Sequence, residues 1–108
     1  MDSHEQVAAE LKMAEAARAS GNEGRARVCA RRAAGVAARD YFARHGVRAR
    51  TASAYAVLKT LAETSGLAPD LRQAAVHLTL PVTETFELPI DVDLITEARR
   101  LCTELASL

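Results

Sequence analysis

Apolar positions in this chain recur at three- and four-residue spacing, the period of helices that bury one face. Val7, Leu11, Ala14 and Ala17 or Arg18 follow that spacing and predict a helix over residues 3–20, with Ser3 able to cap its start. "SGNEG", with two glycines and an asparagine, stops it. A second helix is predicted over residues 24–45, ended by Gly46, with Ala26, Cys29, Ala30, Ala33, Ala37 and Tyr41 on its inward face. After the short loop "VRARTAS", Thr51 or Ser53 caps a third helix in which Tyr55, Leu58, Leu61 and Ala62 face inward and which ends at Gly66. Pro69 suits the first turn of a fourth helix, where Leu71, Ala74, Ala75 and Leu78 align before Pro81 closes it. "LPVTETFELP" is the least helical stretch and is expected to form an extended loop or irregular strand packed by Val82 and Phe86. Asp91 or Asp93 then caps a last helix that buries Ile95, Ala98, Leu101, Cys102 and Leu105. The pattern therefore predicts an all-α fold: one domain over residues 1–108, an up-and-down bundle of four to five helices.

Composition changes the picture of the core. Hydrophobic residues make up 49% of the chain, but 23 of them are alanine and the aromatic set is Tyr41, Phe42, Tyr55 and Phe86. Alanine buries little surface yet lets helices approach closely, so the expected core is dense but weak per residue. That weakness favours a partner chain, most simply a homodimer.

Charge changes it again. The net charge of zero conceals −3 over residues 1–17, +7 over residues 18–50 and −4 over residues 51–108. In the middle segment Arg25, Arg32 and Arg39 recur every seven residues on the polar side of the second helix, with Arg27 and Arg31 beside them. Arg44, Arg48 and Arg50 extend the basic character beyond it. Such a stripe offers phosphate or another anion a surface over two to three helical turns, with Arg25, Arg32, Arg39, Arg48 and Arg50 as candidate ligand-binding residues. Aromatics are not interleaved there apart from Tyr41 and Phe42, so base reading is not implied. The competing structural role is pairing of these arginines with the acidic helices or a second subunit.

The stretches "AEAARASGNEGRARVCARRAAGVAARDYFARHG" and "SAYAVLKTLAETSGLAPDLRQAAVHL" resemble the HEPN family of small prokaryotic helical bundles. In that family an alanine-rich helix pair, joined at a glycine turn, leads to a third helix that begins near a Ser motif. The likeness spans roughly residues 10–105 as a pattern of spacing and small residues. It implies an HEPN-like bundle and one of two roles. Some members partner minimal nucleotidyltransferases in toxin–antitoxin or related pairs. Others are dimeric, metal-independent ribonucleases with an Arg-polar-x(3–5)-His motif, which "RDYFARH" matches formally through Arg39, Asp40 and His45. In that chemistry histidine moves a proton while arginine stabilises the charged phosphate. Six residues apart on a continuous helix, however, the two side chains diverge by about 120°. They converge only if the helix ends first or a second subunit completes the site. His45 has a simpler role at the carbonyl end of its helix.

The expectation is thus a non-enzymatic interaction or substrate-binding module that acts as a dimer or beside a nucleotidyltransferase-type partner. A ribonuclease using Arg39 and His45, or a nucleic-acid or nucleotide binder, is the alternative. No cofactor or metal is expected. Cys29 and Cys102 lack ligand-spaced companions and read as reduced, half-buried thiols. His4 and His77 have no evident partner. Glu84, Glu87, Asp91 and Asp93 lack calcium-loop spacing, and "SGNEG" lacks the lysine and preceding strand of a phosphate loop. "MDSHEQVAAELK" does not read as a signal peptide and no stretch has the apolar length to span a bilayer, so a cytoplasmic protein without membrane contact is expected.

Overall fold

The computed structural model describes residues 2–47, 53–81 and 91–108, and among these every regular element is an α-helix. In chain order they are α1 (Ser3–Ala19), α2 (Glu23–Arg44), α3 (Ala54–Ala62), α4 (Pro69–Leu78) and α5 (Leu94–Ala106). The extended stretch expected around Val82 and Phe86 lies outside the described residues.

Local chemistry sets most of the helix ends. Asp2, not Ser3, caps α1, accepting from the Glu5 N–H at 2.8 Å. Of the alternatives at later starts, Ser53 caps α3 and Asp93 caps α5, while Pro69 opens α4. The carboxylate of Asp93 accepts from the N–H groups of both Ile95 and Thr96. Both α1 and α2 end in a glycine at positive φ. At Gly46, with φ 78°, the Gly46 N–H bonds Ala43 O and the Val47 N–H bonds Phe42 O at 2.8 Å. This is the Schellman arrangement that satisfies the last carbonyls of a helix. Helix α3 stops at Ala62, short of the expected Gly66, and Gly66 instead turns the chain toward α4 at φ 87°.

The long helix α2 is the hub. It packs against α1, α3 and α5 and touches α4, while α3, α4 and α5 pack in succession. Its buried residues are Ala26, Cys29, Ala30, Ala33, Ala34, Gly35, Ala37, Ala38 and Phe42, so it contributes backbone proximity rather than bulk. Tyr41, expected inward, is only half-buried, and Phe42 occupies the interior. The large side chains come from the other helices: Leu58, Leu61, Leu78, Leu94, Ile95, Leu101 and Leu105 are all fully buried. Both cysteines are buried outright rather than halfway. Burial pushes the Cys102 thiol up to about 12.

Helices α2 and α3 approach closely at Gly35. A Cβ there would lie 2.6 Å from Ala54 Cβ and 2.9 Å from Ala54 Cα, so the α2–α3 crossing exists only because both residues are small. This approach also fixes the rotation of α3. Val57, Leu58 and Leu61 turn inward from it, and Tyr55, expected in the core, points out at 47% exposure. Its ring instead lies 5.7 Å beneath the Lys59 ammonium.

The radius of gyration, 13.1 Å, is that of a compact globule of this length. Among the described residues no helix is long and apolar enough to cross a membrane.

A candidate basic groove on the second helix

The arginines of residues 18–50 divide by what they hold. Arg18, at the end of α1, grips two carboxylates at once. Its Nε and Nη2 donate to Glu23 at 2.9 and 2.7 Å, and its Nη1 donates to both oxygens of Asp93 at 2.9 and 3.0 Å. The end of α1 is thereby tied to the starts of α2 and α5. The hydrogen bond from Arg18 holds the Glu23 carboxyl below the usual range, outweighing burial. At Asp93 burial acts upward, but the Arg18 guanidinium and the N–H groups of Thr96 and Ile95 overcome it, and the net shift is downward. Nothing in the periodicity singled out Arg18 as a clasp.

Arg31 and Arg44 act on helix ends. Arg31 Nε donates to the Leu78 carbonyl at the end of α4, at 2.7 Å. Arg44 donates to the Leu105 carbonyl in the last turn of α5 at 2.8 Å and to the Leu108 carbonyl beyond the helix at 2.6 Å, and its Nε meets Asp40 at 2.8 Å. A guanidinium at a helix C-terminus satisfies orphan acceptors and faces the negative end of the dipole. Arg27 lies 4.0 Å from Glu23. Ion pairs with acids are thus made by Arg18, Arg27 and Arg44; of these Arg44 is among the arginines expected to pair with the acidic helices, and its acid, Asp40, is on its own helix. Elsewhere Arg99 meets Glu15 and Arg100 meets Asp70, tying α5 to α1 and α4.

Arg25 and Arg32 are different. Both are exposed, and among the described residues neither makes an ion pair. At about 100° per residue, Arg25, Val28, Arg32, Val36 and Arg39 fall within roughly 80° of the α2 surface, a stripe about 21 Å long. A groove of about 380 Å³ runs along it, lined by Val28, Arg31, Arg32, Val36 and Arg39, with Glu10 of α1 and Ala54 of α3 on its margins. Val28 is 42% exposed, so the groove is basic with apolar ground between the charges. Arg48 and Arg50, also candidates for ligand binding, lie outside the described residues.

Arg39 and His45 do not share a surface within the chain. Arg39 lines the groove, whereas His45 stands at the C-terminal end of α2 with its ring centroid 4.4 Å from that of Tyr41. His45 and Tyr41 border a separate cleft of about 600 Å³ with Leu67, Leu71 and Glu104. The structure thus gives "RDYFARH" the divergent geometry that helical spacing implies.

His77 does have partners. Its Nδ1 lies 2.8 Å from Glu97 Oε1 and its Nε2 lies 2.8 Å from the Gln73 amide nitrogen. With Nδ1–H donating to the carboxylate, Nε2 accepts from Gln73, and α4 is joined to α5. The partner Glu97 comes from a helix twenty residues away, beyond the reach of local pattern. Among the described residues no group of three or more His, Cys, Asp or Glu side chains is placed to hold a metal ion.

Comparison with protein-family models, with curated proteins and with solved structures finds no match to this chain.

Proposed function

We propose that this protein is a non-enzymatic binding module, an HEPN-like helical bundle that works as a dimer or beside a nucleotidyltransferase-type partner and receives an anionic surface on the basic face of α2. One observation carries the reading. Arg25 and Arg32 are exposed without ion pairs among the described residues, whereas Arg18, Arg31 and Arg44 are engaged in holding the bundle together. Cations that hold nothing internally are available to an external charge. The divergence of Arg39 and His45 supports a binding role over cleavage within one chain.

Anisotropy titration with labelled polyglutamate and with structured RNA tests this reading. Affinity is expected at low salt, falling steeply as salt rises and lost in the Arg25→Ala/Arg32→Ala/Arg39→Ala variant. No affinity for either polymer at low salt sinks it. Metal-free incubation with structured RNA addresses the ribonuclease alternative: cleavage by the protein that disappears in His45→Ala establishes catalysis and displaces the binding reading.

A further inference from the structure

We infer that the occupant of the α2 groove is an acidic amphipathic helix of a different protein; this rests on the basic face being a binding surface and names what binds there. Three observations lead to it. First, the spacing of the stripe is that of a helix-packing seam. Arg25, Val28, Arg32, Val36 and Arg39 follow three- and four-residue steps, the repeat by which one helix lies along another. Two valines between three arginines offer apolar contact at helical pitch, which an amphipathic helix can cover and a phosphate backbone cannot.

Second, the margin is not uniformly basic. Glu10 lines the groove from α1 and sets a carboxylate among the arginines. A protein helix can bring one Lys or Asn toward that carboxylate among its acids. A nucleic-acid backbone carries no such positive group and sets its phosphates against the Glu10 charge.

Third, a second copy is disfavoured by symmetry. A two-fold contact through α2 must be self-complementary, and here it sets one arginine stripe against another. A dimer of this chain therefore uses a different face, and the groove is left to a partner with acids flanking an apolar seam.

The test uses the intact protein and three labelled probes of equal net charge. One is a helical peptide with leucines at three- and four-residue spacing, glutamates flanking them and a single lysine. The second has the same composition in scrambled order, and the third is single-stranded RNA. The amphipathic peptide is expected to bind about tenfold or more tightly than the scrambled one. Val28→Ser/Val36→Ser is expected to erase that preference, and Arg32→Glu to weaken both peptides. Circular dichroism of each variant confirms the fold. Equal affinity for the two peptides overturns the inference but leaves the basic face as a general anion surface. Tighter binding of RNA than of either peptide overturns it in favour of nucleic acid. Self-association abolished by Arg32→Glu overturns it in favour of a second copy. Silence of all three probes at low salt removes the basic-face reading as well.

Discussion

Replacing either of two glycines in α2 by alanine is expected to change stability in opposite directions. At Gly24, in the first turn, the nearest atom to a new Cβ is Asn22 Oδ1 at 3.9 Å, so the added methyl group sits at ordinary van der Waals distance. The alanine then restricts the unfolded chain and favours the helix, a gain of about 0.5–1 kcal/mol. At Gly35 the same methyl group falls 2.6 Å from Ala54 Cβ and 2.9 Å from Ala54 Cα. Carbon atoms packed together prefer about 3.5–4.0 Å, so α3 has to retreat by roughly 1 Å. The second of these atoms belongs to the backbone, and no rotamer change can move it aside. Overpacking of this kind costs about 1–3 kcal/mol, against about 1 kcal/mol of helix propensity recovered. The Gly35→Ala protein is therefore expected to be less stable than wild type by up to about 2 kcal/mol. The gap between the two variants, about 1–3 kcal/mol, reports the steric penalty alone. Urea unfolding measures it, with the midpoint moving while the slope stays constant. Adding Ala54→Gly to Gly35→Ala removes the clash between the two methyl groups but leaves the α3 backbone in the way, so partial recovery is expected. Equal stability of Gly35→Ala and Gly24→Ala would refute the claim that backbone proximity fixes the α2–α3 crossing.

Other expectations follow from the arginine clasps and the buried thiols. Glu23 and Asp93 have lowered folded-state pKa values, so their contribution to stability is present above the ordinary carboxylate range and is lost as pH falls through it. In Arg18→Gln that acid-side loss is expected to be shallower, and urea midpoints measured from neutral pH down to about pH 3 check it. Arg44→Ala is expected to cost about 1 kcal/mol and to speed amide exchange in the last turn of α5, because the Leu105 and Leu108 carbonyls each lose a charged donor. An unchanged exchange rate there shows that water replaces the guanidinium at no cost. Cys102, buried and with its thiolate disfavoured, is expected to resist a thiol reagent in native buffer and to react promptly in denaturant. Prompt native reactivity contradicts that burial.

What was legible in the sequence was whatever is written locally. Pro69, Gly46 and Asp93 act through their own backbone or nearest N–H groups, and each punctuates a helix where expected. The leucines of α4 and α5 are inward because their spacing leaves one apolar stripe. Tyr55 was misplaced because α3 is short and carries apolar residues on more than one side. Its rotation is decided by Gly35, a residue on another helix. A signal was present all the same. A glycine inside an otherwise alanine-rich helix costs about 1 kcal/mol and needs a packing reason. For the groove, spacing alone placed Arg25, Arg32 and Arg39 together but could not separate Arg25 and Arg32 from Arg31 and Arg44. That division depends on which helix C-termini lie within reach, and helix ends meet only in three dimensions.

The alanine seam between α1 and α2 has a consequence for how the groove responds to its occupant. Helix α1 buries only Ala14 and Ala17 fully, with Val7 and Leu11 partly covered, whereas α5 buries Leu94, Ile95, Leu101 and Leu105 among its six. With so little apolar area at stake, the N-terminal helix is expected to detach in a sub-global opening that costs less than complete unfolding. Yet Glu10, on that same helix, forms one margin of the groove. An occupant that touches Glu10 binds only the docked arrangement, and by linkage it suppresses the opening in proportion to its saturation. Occupancy of the groove would then be recorded beyond the margin it touches, as slowed deuterium uptake along the whole of α1.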